Sequence, residues 1–151
     1  SYNYFLMNEP FSSIHPTKVL DYFKDAKLII VHRDPRDSYC NLINEISDFM
    51  PKSIDQYIKL YKHMSALSIR NEKNDQRVLR INFEDLILQY DDTKKTVFDF
   101  LNINESDHVN KFKYFDPNVS NKNVGVWKKY KNQDDINKIY KELKEYCYQG
   151  I

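Results

Sequence analysis

Two rhythms of apolar residues alternate along this chain. Leu28-Ile29-Ile30-Val31 is an unbroken apolar run within 27–32, the pattern of a strand buried on both faces of a parallel sheet. Arg77–Phe83 alternates and is rich in β-formers, which predicts a second core strand. Between and around them the spacing is helical. Val19, Leu20 and Phe23 mark a helix over Thr17–Lys24, and Ile54, Tyr57, Ile58, Tyr61, Met64 and Leu67 mark a long one capped by Ser53. Val97, Phe98 and Leu101 lie on one face of Asp91–Leu101, and Ile136, Ile139, Tyr140 and Leu143 on one face of Asp134–Tyr148. Tyr4–Met7 could form a further short strand. Asn8–Pro16, with two prolines and two serines, reads as loop, and His108–Lys122 as mostly loop. Strands alternating with helices, with no repeat and no linker, predict one domain of an α/β sheet fold.

The sharpest local signal follows the first strand. Asp34 suits a helix N-cap, Pro35 suits the first helical position, and Asp37 stands three residues after the cap. Tyr39, Leu42, Ile43 and Ile46 continue on one face until Met50-Pro51 ends the helix. A parallel strand delivers its last residue to the sheet edge where α/β folds bind ligands, and the next helix presents free N–H groups there. Arg33 adds a guanidinium at that point, which suits a phosphate. Two readings stand for it: an anion site, or an ion pair with Asp34, Asp37 or a distant carboxylate.

Composition narrows the chemistry. The chain has 151 residues, 41% hydrophobic, and a net charge of +1, so no overall field draws it to nucleic acid or an anionic membrane, and an anion site must be local. Two cysteines, Cys40 and Cys147, are too few for a disulfide scaffold or a zinc cage and are expected to be buried reduced thiols. The only glycines are Gly125 and Gly150, so no glycine-rich phosphate loop is present. No apolar run is long enough to span a bilayer and no secretory signal is visible, which points to a cytoplasmic location. The chain opens on Ser1 rather than Met, which suggests that it continues upstream.

Three segments carry a family resemblance. Lys27-Leu28-Ile29-Ile30-Val31-His32-Arg33-Asp34-Pro35-Arg36-Asp37 resembles the 3′-phosphate-binding segment of sulfotransferases that use 3′-phosphoadenosine-5′-phosphosulfate (PAPS). There the Arg and a Ser eight residues later bind the phosphate. Arg33 matches, the later position is Asn41, and Ser38 could substitute for the serine. Val78-Leu79-Arg80-Ile81-Asn82-Phe83-Glu84-Asp85-Leu86 is similar to the family's strand ending in Tyr-Glu-Asp-Leu, which places Phe83 near the adenine. Phe83 otherwise reads as core, and Glu84 and Asp85 as the acidic start of a helical turn. Ser120-Asn121-Lys122-Asn123-Val124-Gly125-Val126-Trp127-Lys128-Lys129-Tyr130 resembles the family's Val-Gly-x-Trp-Lys/Arg-x-Tyr stretch, with Lys122 as phosphate contact. Trp127 also reads as an anchor for the last helix. Phe100-Leu101-Asn102 stands where the family has Phe-Leu-Gly.

The resemblance implies a three-layer parallel sheet related to P-loop nucleotide-binding proteins, here incomplete at its N-terminus, with residues 1–151 as the C-terminal part of a single sulfotransferase domain. It implies sulfuryl transfer from PAPS, with adenosine 3′,5′-bisphosphate as product and no metal. The acceptor would be a hydroxyl or amine on a glycan, peptide or small molecule, met by loops such as Asp48–Ser53 and Asp107–Val119. Arg33, Asn41, Ser38, Phe83, Lys122 and Gly125 would form the donor site. The family's catalytic base is sought upstream of residue 1, or at Glu9 in Met7-Asn8-Glu9-Pro10. His15 and His32 match no family base, and His32 reads as structural. The chain alone is expected to be inactive. Two other readings compete: a non-catalytic nucleotide-binding or interaction module that kept the fold, and a P-loop kinase relative, which would need a Mg²⁺ site.

Overall fold

A computed structural model of the chain describes residues 6–8, 12–23, 25–43, 51–72 and 74–150. Two five-residue strands, β1 (Leu28–His32) and β2 (Val78–Asn82), pair in parallel. Their register runs from Leu28 opposite Val78 to His32 opposite Asn82. The connection between them carries two helices, α2 (Pro35–Leu42) and α3 (Ile54–Glu72). Helix α1 (Pro16–Tyr22) precedes β1, and α4 (Phe83–Leu88) and α5 (Tyr90–Leu101) follow β2. Short α6 (Pro117–Ser120) and amphipathic α7 (Gln133–Leu143) complete the order. The expectation over Tyr4–Met7 falls partly outside the described residues, and Leu6 and Met7 are not in a strand.

The described residues form a mixed α/β structure around this two-stranded sheet. Burial of β1 on both faces is not what they show. Side chains alternate across a strand, and Arg80, level with Ile30, faces α3 through Ser68 and Glu72. Ile30 is accordingly buried, whereas Val31, on the other face, is 52% exposed. Helices α4 and α5 pack on β2.

The apolar centre lies among helices. Tyr39, Cys40, Tyr57, Ile58, Ile136, Ile139 and Leu143 form one cluster joining α2, α3 and α7. Its tyrosines are packed ring to ring, with Tyr39 and Tyr57 at 5.1 Å and Tyr57 and Tyr61 at 5.7 Å. Buried phenols need acceptors, and these find them: Tyr57 donates to the Pro35 carbonyl at 2.6 Å and Tyr61 to the Arg33 carbonyl at 2.8 Å. Helix α3 therefore props the turn that leaves β1.

Several predicted boundaries shift for local reasons. Strand β2 stops at Asn82, and Phe83 opens α4. Helix α2 ends at Leu42, and Ile46 and the Met50 end of the predicted helix lie outside the described residues. Within the mostly irregular His108–Lys122, Asp116 caps α6 by accepting from the Asn118 N–H at 2.8 Å, with Pro117 at the first helical position. That repeats the Asp-Pro start of α2. Helix α7 stops short of Tyr148, whose N–H is taken by the Asp34 carboxylate at 3.0 Å.

Candidate functional site

Arg33 follows directly on β1, at the C-terminal end of a parallel strand. The helix end beside it is already filled. Asp34 Oδ1 accepts from the Arg36 N–H at 2.8 Å, and the Arg36 guanidinium folds back onto the same carboxylate, Nη2 to Oδ2 at 2.5 Å. Asp34 and Arg36 are both buried. The Asp34 carboxylate thus stands at the α2 N-terminus as its cap. Arg36 also lies over the Trp127 ring at 4.0 Å. Trp127 packs against the tyrosine-rich core as an anchor.

Arg33 turns instead along α2. Its Nη2 donates to the Asn123 carbonyl at 2.7 Å. The Asn41 amide, oriented as its donor neighbours require, accepts from Arg33 Nη1 at 2.6 Å. The Phe83 ring centroid is 5.1 Å from the guanidinium carbon, within cation–π range. Among the described residues no carboxylate pairs with Arg33. Its Nε is buried without a partner among them. Ser38 and Arg33 line one groove of about 510 Å³, together with His32 and with Tyr61 and Ser65 of α3.

The late segment comes to the same place. Asn121–Asn123 is a 3-10 turn that carries the exposed Lys122 beside the carbonyl that holds Arg33. Gly125 adopts φ 70°, a left-handed conformation that favours glycine. Its N–H donates to Asp37 Oδ2 at 2.7 Å, and the Trp127 N–H donates to Asp37 Oδ1 at 3.0 Å. Burial pushes the Asp37 carboxyl above the ordinary range, against the opposing pull of those two N–H groups.

The structure therefore brings Arg33, Asn41, Phe83, Ser38 and the Lys122–Gly125 segment to one corner. Asn41 meets Arg33 through its oxygen, so it orients the guanidinium rather than offering it a competing donor. Glu9 lies outside the described residues. His32 is tied to the Tyr146 carbonyl at 2.9 Å, and burial lowers its pKa. Among the described residues no group of His, Cys, Asp and Glu could hold a metal ion, and no helix is long and apolar enough to cross a membrane.

Sequence reasoning missed the buried polar frame behind the corner. Glu84, which reads as an ordinary helix-start acid, is fully buried and accepts from the Asp34 N–H at 2.9 Å. Tyr148 closes the frame, its hydroxyl donating to Asp85 at 2.5 Å. One signal was available: Asp37 and Asn41 are spaced by four, which places them on one helical face.

The model of a protein family described as the sulfotransferase family matches residues 2–107, more than two-thirds of the chain. The matched range holds β1, Arg33, α2, β2 and Phe83, and the segment from Ser120 to Tyr130 lies beyond it. No curated protein and no solved structure gave a significant match.

Proposed function

The chain belongs to the sulfotransferase family, and on that premise we propose that it grips the nucleotide end of PAPS and of its product, adenosine 3′,5′-bisphosphate. Sulfotransferases move a sulfuryl group to an acceptor. In this reading the acceptor is a hydroxyl or amine that attacks the sulfur in line, with positive groups stabilising the bridging oxygen as charge develops there. The sheet of the whole domain is then a three-layer parallel sheet of the P-loop type, with β1 and β2 as two of its strands.

The observation that supports this reading best is the state of Arg33. A half-buried guanidinium that forms no salt bridge among the described residues, with the buried Asp37 carboxylate as its electrostatic neighbour, would gain charge-assisted bonds from an incoming anion. It stands at the C-terminal end of a parallel strand, where α/β folds place ligands. Arg33 would bind the 3′-phosphate by charge-assisted hydrogen bonds, with Ser38 and Lys122 as further donors. Asn41 would hold the guanidinium in place. Phe83, already against Arg33, would offer its remaining ring surface near the adenine.

The test is a binding titration with adenosine 3′,5′-bisphosphate against adenosine 5′-monophosphate. The wild type should prefer the bisphosphate. Arg33→Ala should cost about 2–4 kcal/mol of affinity for the bisphosphate and little for the monophosphate. Equal binding of the two nucleotides by the wild type, or a preference that survives in Arg33→Ala, would show the site to be misassigned.

A further inference from the structure

Asp37 and Asn41 lie four residues apart in α2, Arg33 precedes that helix and reaches Asn41, and the segment 121–127 bonds to both Arg33 and Asp37. Asp37 is fully buried. It does not cap α2, because Asp34 does. Both of its oxygens are instead spent on main-chain N–H groups some ninety residues away, those of Gly125 and Trp127. The left-handed turn at Gly125 lets two N–H groups, two residues apart, converge on one carboxylate. Two residues before that turn, the Asn123 carbonyl takes Arg33 Nη2. The segment is therefore fixed at one end by the Asp37 carboxylate, and at the other it holds the proposed phosphate ligand.

We propose that Asp37 is a positioning residue for the donor's 3′-phosphate: it clamps segment 121–127 onto α2, and so sets where the Asn123 carbonyl holds the Arg33 guanidinium and where Lys122 stands. The inference rests on the reading of Arg33 as a phosphate ligand. Asp37 touches no nucleotide atom in this arrangement and acts through the segment it holds. A carboxylate is the side chain that suits the task. It accepts two N–H groups at once and has no donor of its own, whereas the isosteric amide would turn its NH₂ toward one of them.

The experiment measures, on the full chain, the ratio of affinities for adenosine 3′,5′-bisphosphate and adenosine 5′-monophosphate in wild type, Arg33→Ala and Asp37→Asn. Asp37→Asn should lower the ratio about tenfold, with monophosphate affinity within about twofold of wild type. A residue that only supports the fold would lower thermal stability and leave the ratio of the folded protein intact. If Arg33→Ala collapses the ratio and Asp37→Asn preserves it, the clamp is overturned and the phosphate assignment stands. If Arg33→Ala itself preserves the ratio, the phosphate assignment fails and takes the clamp with it. Should Asp37→Asn not fold, Gly125→Val decides. A β-branched residue does not tolerate the left-handed turn, so the segment must move with the carboxylate intact, and the same loss of ratio is expected. An unchanged ratio in Gly125→Val then overturns the clamp.

Discussion

Glu84 carries one carboxylate oxygen bonded to the Asp34 N–H and another that is buried without a partner among the described residues. Burial raises its pKa, and the nearby Asp34 and Asp37 carboxylates add to the rise, while the Asp34 N–H opposes it. Because the folded value lies above the unfolded one, the folded state binds the extra proton. Glu84 therefore supports folding most below its unfolded pKa, and that support is lost as pH rises through the folded value. Glu84→Gln keeps an acceptor for the Asp34 N–H and removes the titration. Relative to wild type, the variant should gain stability as pH climbs from about 4 toward neutrality, by up to about 1.4 kcal/mol for each unit separating the two pKa values. Urea unfolding of both proteins across that range checks it, and parallel pH profiles would contradict it. Glu84 was opaque in the sequence, since an acid at a helix start is ordinarily solvated. Only the packing of α4 beneath the β1–α2 turn encloses it.

At the scale of elements, helix ends decide more than helix bodies. Helix α5 closes on Asn102, which adopts φ 58° and ψ 44°, a left-handed cap where glycine or asparagine is at home. The Asn102 side chain, oriented by its neighbours, also accepts from Lys27 Nζ at 3.2 Å, which offsets part of the strain. Asn102→Ala should be less stable than Asn102→Gly by about 1 kcal/mol, because only alanine combines the left-handed penalty with loss of the side-chain bond. Thermal unfolding of the two variants measures this, and an alanine variant at least as stable as the glycine one would refute it. Helix bodies were legible from their apolar spacing: α5 keeps its predicted bounds to within a residue, α3 starts where Ser53 predicted and runs on past Leu67 to Glu72, and α7 stops five residues before the predicted Tyr148. The short α6 was not, although Asp116-Pro117 repeats the signal that was correctly read at Asp34-Pro35.

For the whole molecule, the C-terminal strap ties the ends of both strands together. Tyr148 bonds to Asp34 through its N–H, to Arg36 through its carbonyl and to Asp85 through its hydroxyl. Cys147, next to it, is buried, as is Cys40 in α2. Burial pushes the Cys40 thiol up to about 11 and the Cys147 thiol up to about 12. Neither should react appreciably in the native state near pH 8. Because the strap is locked to the strand ends, both thiols should label at one rate set by global opening. Labelling of Cys147 well ahead of Cys40 would show that the strap frays by itself.

The sequence determined what periodicity and local chemistry can determine. The unbroken run at Leu28–Val31, the alternation before Phe83 and the Asp-Pro cap each act over a few residues, so they are visible without tertiary contacts. They were enough to place two parallel strands and the helix after Arg33, while the family came from the resemblance of whole segments and from the family model that matches residues 2–107. The site's interior depended on residues brought from far apart. Whether Arg33 pairs with an acid, whether Asp37 caps its own helix, and what Glu84 faces are all settled by the arrival of segment 121–127 and the Tyr148 strap at the β1–α2 turn. A carboxylate looks the same in a sequence whether water or a main-chain N–H satisfies it. Only the fold, by removing the water, decides which one does.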